Sequence, residues 1–146
     1  MKEIPSYEMT ASEYLKFLGG KHVTGWVNDP TDNSAGGWGL TLTPRDMARF
    51  GFLYLNQGLW NNIQIIPHKW INETIAMNSN HYGYLWWLFN ENDIFTYCAL
   101  GDGGNVICCI PEKDMVIAIA SKFMMNPHNR LTLIKEHIIP AIIGRY

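Results

Sequence analysis

The chain has 146 residues, of which 47% are apolar and 16% charged. That balance suits one globular domain and excludes a disordered chain. Thirteen acidic residues against eleven basic give a net charge of −2, so nothing in the charge points to nucleic acid or to an anionic membrane surface. No apolar run is long enough to span a bilayer.

In chain order, the first helix is predicted over residues 10–18. Thr10 and Glu13 form a T-x-x-E capping box, and Gly19-Gly20 stops the helix. A loop rich in Asp, Asn, Pro and Gly follows over 27–39. Thr43-Pro44 starts a second helix: Thr43 can cap, Pro44 fits the first helical position, and Asp46 suits the first turn. Met47, Phe50, Gly51 and Tyr54 recur at helical spacing as its buried stripe, and Gly58 ends it. A third helix is expected over 67–77, with Trp70, Ile71, Thr74 and Ile75 on one face.

The second half reads as four strands. They are expected at 82–89, 95–100, 105–110 and 115–121, joined by turns at 90–93, 102–104 and 111–114. Short turns between successive strands imply antiparallel pairing. From residue 127 a final helix presents Leu131, Ile134, Ile138 and Ile142. The expected fold class is α+β, one antiparallel sheet with helices covering one side. The whole chain is expected to form a single domain, with 1–78 mainly helix and loop, 82–121 sheet, and a helix over 127–143.

Cys98, Cys108 and Cys109 are the only cysteines. Neighbours on a strand point to opposite faces, so Cys108 and Cys109 cannot serve one site together. No C-x-x-C occurs and the five histidines lack metal-ligand spacing. The thiols read as small reduced hydrophobes, and no metal or other cofactor is expected.

Three stretches taken together resemble the β-lactamase/penicillin-binding-protein-related serine hydrolases, the group of the class C β-lactamases. The first is Gly36-Gly37-Trp38-Gly39-Leu40-Thr41-Leu42-Thr43-Pro44-Arg45-Asp46-Met47-Ala48-Arg49-Phe50-Gly51, similar to the family's G-G-x-G-L-x-x-T-x-x-D-[ML]-A-x-F-G. The second is Tyr82-Gly83-Tyr84-Leu85-Trp86-Trp87, like its Y-G-Y-x-W-W strand. The third is Gly101-Asp102-Gly103-Gly104-Asn105 followed by Pro111-Glu112-Lys113-Asp114-Met115-Val116, like its G-x-G-G-[QN] turn and P-E-x-D-[LM]-V hairpin. Singly, each has an ordinary structural explanation as a tight loop, a core strand or a hairpin turn. Their order and spacing across 36–121 is what is specific.

The resemblance implies an acyl-enzyme hydrolase acting on a small-molecule ester, amide or peptide. Its chemistry needs a nucleophile activated by a neighbouring base, supplied in the family by S-x-x-K. Ser6, Ser12, Ser34, Ser79 and Ser121 all lack Lys three residues on. The family's Y-x-N is missing from its place; Tyr54-Leu55-Asn56 lies inside the second predicted helix, after the G-G-x-G-L segment, and reads as scaffold. The K-T-G strand is replaced by Ala99-Leu100-Gly101.

What the resemblance leaves is a backbone donor. The N–H after that glycine, here of Asp102, would form half of an oxyanion hole, with Trp38, Gly101, Gly103, Gly104 and Asn105 lining the substrate cleft. The Asp102 carboxylate would repel an anionic substrate. The expectation is therefore the C-terminal portion of a longer hydrolase, inactive alone. A non-enzymatic binding module derived from that fold is the alternative. No signal peptide is visible, so the chain as given reads as cytoplasmic, while a longer parent could be exported. The missing portion is expected to leave an open apolar sheet face, with Tyr84, Trp86, Cys98 and Val106 as candidates, which a second copy would cover in a homodimer.

Overall fold

The computed structural model describes residues 30–33, 37, 39–91, 93–122 and 129–143. The predicted helix at 10–18 and most of the loop at 27–39 lie outside the described residues.

Helix α1 (Pro44–Leu55) starts where the T-P-R-D string places it. The Thr43 backbone is extended, and its Oγ1 accepts a hydrogen bond from the Asp46 N–H at 3.2 Å. The same hydroxyl donates to Asp46 Oδ2 at 2.7 Å, while Arg49 holds the other carboxylate oxygen. Asp46 is buried, and a buried carboxylate persists only with such partners. The motif's aspartate is thus an N-terminal brace of the helix.

Gly58, at φ 80°, turns the chain after α1, and its N–H closes on the Leu53 carbonyl at 2.8 Å. A small antiparallel hairpin follows, β1 (Leu59–Trp60) with β2 (Ile63–Gln64), which the sequence pattern did not announce. Helix α2 (His68–Thr74) is shorter than the predicted 67–77. Its apolar face keeps Ile71 and Thr74 buried, but Trp70 is exposed and rests on Tyr84 with ring centroids 5.4 Å apart.

The main sheet is a meander in the order β3 (Trp87–Glu91), β4 (Ile94–Gly101), β5 (Asn105–Ile110), β6 (Met115–Ile119). All neighbours are antiparallel. The expected strand at 82–89 is corrected: only its last residues join the sheet, apart from one bridge between Tyr82 and Trp87. Residues 81–86 form a tight loop, with His81 at φ 53° and Leu85 at φ 66°. In it the Gly83 N–H donates to the Trp86 carbonyl at 2.8 Å, and the Tyr84 N–H to the Thr74 carbonyl at 3.1 Å. A Cβ on Gly83 would overlap the Thr74 carbonyl, which is why glycine stands there.

Strand alternation sends two different side-chain sets to the two faces of the sheet. Tyr97, Ile107 and Cys109 meet Met47 and Tyr54 of α1, together with Trp86. Ile94, Cys98, Val106, Cys108 and Ile110 meet Ile134 and Ile139 of the C-terminal helical segment. That segment runs as α3 (Arg130–Leu133), one wider π turn (Ile134–Ile138) and α4 (Ile139–Ile143), with the Asn129 side chain capping its start. Leu131, Ile138 and Ile142 pack against this cluster as expected, and the π turn brings Ile139 in beside them.

Helices therefore cover both faces of the sheet, not one. The open apolar face is corrected with it: Trp86, Cys98 and Val106 are core residues, and of the four candidates only Tyr84 is exposed. The physical reason is that β4 and β5 are apolar at successive positions, so neither face is polar enough to meet water. No helix among the described residues is long and apolar enough to cross a membrane.

Candidate functional site

The turn between β4 and β5 is where the predicted site residues converge. The last ladder pair is Gly101 with Asn105, so three residues, Asp102, Gly103 and Gly104, make the reversal. Gly103 and Gly104 have φ of 78° and 92°, in the region where a Cβ is strained. The Gly104 N–H closes the turn on the Gly101 carbonyl at 3.3 Å. Asn105 Nδ2 donates to the Asp102 carbonyl at 3.2 Å. These bonds fix the peptide planes around Asp102, and the Asp102 N–H takes no part in them. Gly101 and Asp102 are exposed, Gly103 is buried, and Gly104 and Asn105 are half-buried.

A second layer holds the turn from behind. The Ser121 N–H donates to Asn105 Oδ1 at 3.0 Å, and Ser121 Oγ donates to the Gly104 carbonyl at 3.1 Å. Arg130, at the start of α3, donates to Ser121 Oγ from Nε at 3.3 Å and from Nη2 at 3.1 Å. A Cβ on Gly104 would lie 3.2 Å from Arg130 Nε and 3.3 Å from Ser121 Oγ. The chain thus places a side-chain relay, Arg130 to Ser121, against the peptide backbone of the turn. Sequence reading did not find it. Ser121 falls at the end of a predicted strand and Arg130 inside a predicted helix, and only the fold brings them together.

The five turn residues are together. Trp38, the sixth predicted site residue, lies outside the described residues. Other parts of the signature are packing. Tyr54 is buried against Trp86 with ring centroids 4.7 Å apart, so Tyr54-Leu55-Asn56 is scaffold. Among the described residues, no group of three or more His, Cys, Asp or Glu side chains is placed to hold a metal ion.

The chain is similar to the solved structure of a protein described as "Putative 6-aminohexanoate-dimer hydrolase from Bacillus anthracis", with 28% identity and a TM-score of 0.65, over 80% of this chain and 32% of that one. The likeness supports the β-lactamase/transpeptidase type of fold and the hydrolase superfamily that shares it. The chain spans about a third of the length of that protein. No family model and no curated protein matches the chain.

Proposed function

We propose that this chain supplies the oxyanion-donor turn and one cleft wall of a β-lactamase-related serine hydrolase, of the class C type, that cleaves an ester or amide through an acyl-enzyme. The observation that carries the reading is the pinned, glycine-rich turn at 101–105, with exposed Asp102 at its apex and its peptide planes fixed from behind. A backbone donor aimed at developing negative charge needs a fixed orientation more than a particular side chain. The hydrogen bonds that brace the turn support such a role, and a backbone donor does not depend on the missing K-T-G side chains. Gly101, Gly103, Gly104, Asn105 and Trp38 would line the substrate cleft.

The carboxylate of Asp102 narrows the substrate class. It disfavours the carboxylate of a β-lactam and favours a neutral or ammonium-bearing group near the scissile bond. A linear amide such as the 6-aminohexanoate dimer, named for the similar protein, keeps its ammonium and carboxylate ends away from the scissile amide, so it escapes the repulsion that a carboxylate beside the bond would meet. The nucleophile and base are absent from the 146 residues as S-x-x-K and a properly placed Y-x-N, so turnover would require a polypeptide that supplies them.

Reconstitution tests the proposal. This chain would be mixed with a polypeptide carrying the S-x-x-K and Y-x-N portion of such a hydrolase, and release of a chromophore from a nitrophenyl ester followed. Hydrolysis should need both parts. Asp102→Pro, which deletes the N–H, should lower it by about 10²–10³-fold, while Asp102→Asn should keep it. Equal rates for the Pro and Asn variants would defeat the oxyanion assignment.

A further inference from the structure

The three thiols are not equivalent. Cys109 faces α1, with its thiol 3.4 Å from the Gly51 carbonyl oxygen. Cys98 and Cys108 face the C-terminal helical segment and are register partners on β4 and β5. Directly opposed residues on antiparallel strands have Cα atoms about 4.5–5.5 Å apart, within the roughly 4.4–6.8 Å that disulfides span. The two sulfur atoms lie 2.8 Å apart. That is inside the roughly 3.5–4.0 Å contact of non-bonded carbons, which are smaller than sulfur.

Both thiols are fully buried. Cys98 lines a small cleft between the sheet and the C-terminal helical segment, walled also by Phe89, Thr96, Leu131, Lys135 and Ile139. That space holds no more than a water-sized molecule, so a small oxidant reaches the thiols only as the helical segment opens locally, and a protein oxidant is excluded from the cleft. Lys135 stands at it, paired with Glu91 at 2.6 Å and lying over the Phe89 ring. The hydrogen-bonded Cys108 thiol and burial hold Cys98 protonated, above the usual thiol range. Reaction is therefore slow at neutral pH and faster in alkali.

We propose that Cys98 and Cys108 form a peroxide-oxidisable pair that closes into a cross-strand disulfide while Cys109 stays a thiol. The steps balance. The Cys98 sulfur attacks one oxygen of hydrogen peroxide, the O–O bond breaks, and the first water leaves with the sulfenic acid formed. The Cys108 sulfur then attacks the Cys98 sulfur and displaces the second water. Two electrons pass from the two sulfurs to the peroxide, and both thiol protons end in water. The new bond ties β4 to β5 three register pairs from Gly101–Asn105, stapling the hairpin that carries the candidate site. The inference rests on strand register and is independent of the proposed hydrolase role.

The test is thiol counting by intact mass. The folded chain is treated with hydrogen peroxide, denatured without reductant and alkylated. One label per chain is expected, with the parent mass reduced by two hydrogens, and three labels after reduction. Peptide mapping should place the crosslink between Cys98 and Cys108 and the label on Cys109. Cys108→Ala should abolish the crosslink; should that variant fail to fold, the wild-type peptide map decides alone. Three labels without reductant, a crosslink that includes Cys109, or oxygen gain at Cys98 without a crosslink would each overturn the assignment.

Discussion

Gly51 on α1 and Gly104 in the β4–β5 turn belong to the same signature, yet they are glycine for different reasons. At Gly51 the helix backbone lies against the sheet: a Cβ there would come within 2.6 Å of Val116 and 2.9 Å of Ile107. At Gly104 the demand is conformational, with φ 92° in a turn whose apex faces solvent. The first region is apolar interlock around Trp86, Tyr54 and Tyr97. The second is a polar scaffold in which Ser121 and Arg130 hold a backbone loop that is exposed on its other side. Gly51, Tyr54 and Trp86 of these strings therefore serve packing, and the turn at 101–105 is the part left facing solvent.

That contrast predicts unequal effects. Trp86 is 2% exposed and touches Phe50, Tyr54 and Tyr97, so Trp86→Ala should cost about 3–5 kcal/mol in urea unfolding. A loss below about 1 kcal/mol would mean the aromatic interlock is not the core.

Alkaline pH attacks the same region. Burial pushes the Cys109 thiol up to about 12, against about 8.5 in an unfolded chain. Below about pH 8.5 both states hold the proton. Above it the unfolded chain ionises first, so folding stability should fall between about 8.5 and 12, by up to about 1.4 kcal/mol per pH unit for this group. Burial raises Tyr97 in the same direction. Urea midpoints that stay level from pH 8 to 11 would contradict the buried thiol.

Gly51→Ala should cost about 1–3 kcal/mol from overpacking, less up to about 1 kcal/mol recovered as helix propensity. Thermal unfolding reads this directly, and a stabilised variant would show that α1 does not press on β5 and β6. Ser121→Ala should be the mildest change, about 1 kcal/mol. Its signature should be local: faster amide exchange at Gly104, with the α1 amides unchanged. Equal acceleration in both places would erase the distinction between the two regions.

How much of this was legible beforehand follows the range of the interactions. The cap of α1 was readable because Thr43 and Asp46 are three residues apart. The meander was readable from Asp102-Gly103-Gly104 and 111–114, since turn chemistry is local. The Tyr82–Trp87 string was misread because aromatic content favours strands, whereas Gly83 is set by a contact with Thr74 on another element. The two-sided burial of the sheet was present in the consecutive apolar residues of β4 and β5, but only the helices on both faces give that pattern its meaning. Of the candidate site, the turn was legible and the Arg130–Ser121 brace was not, because its partners sit on elements far apart in sequence from the turn they support.

The proposed oxyanion turn stands among 146 residues that hold no S-x-x-K serine. Intact-mass spectrometry after incubation with a fluorophosphonate or a fluorescent penicillin tests it most directly. The account predicts an unchanged mass for the folded chain alone. A stoichiometric adduct on any serine would contradict it.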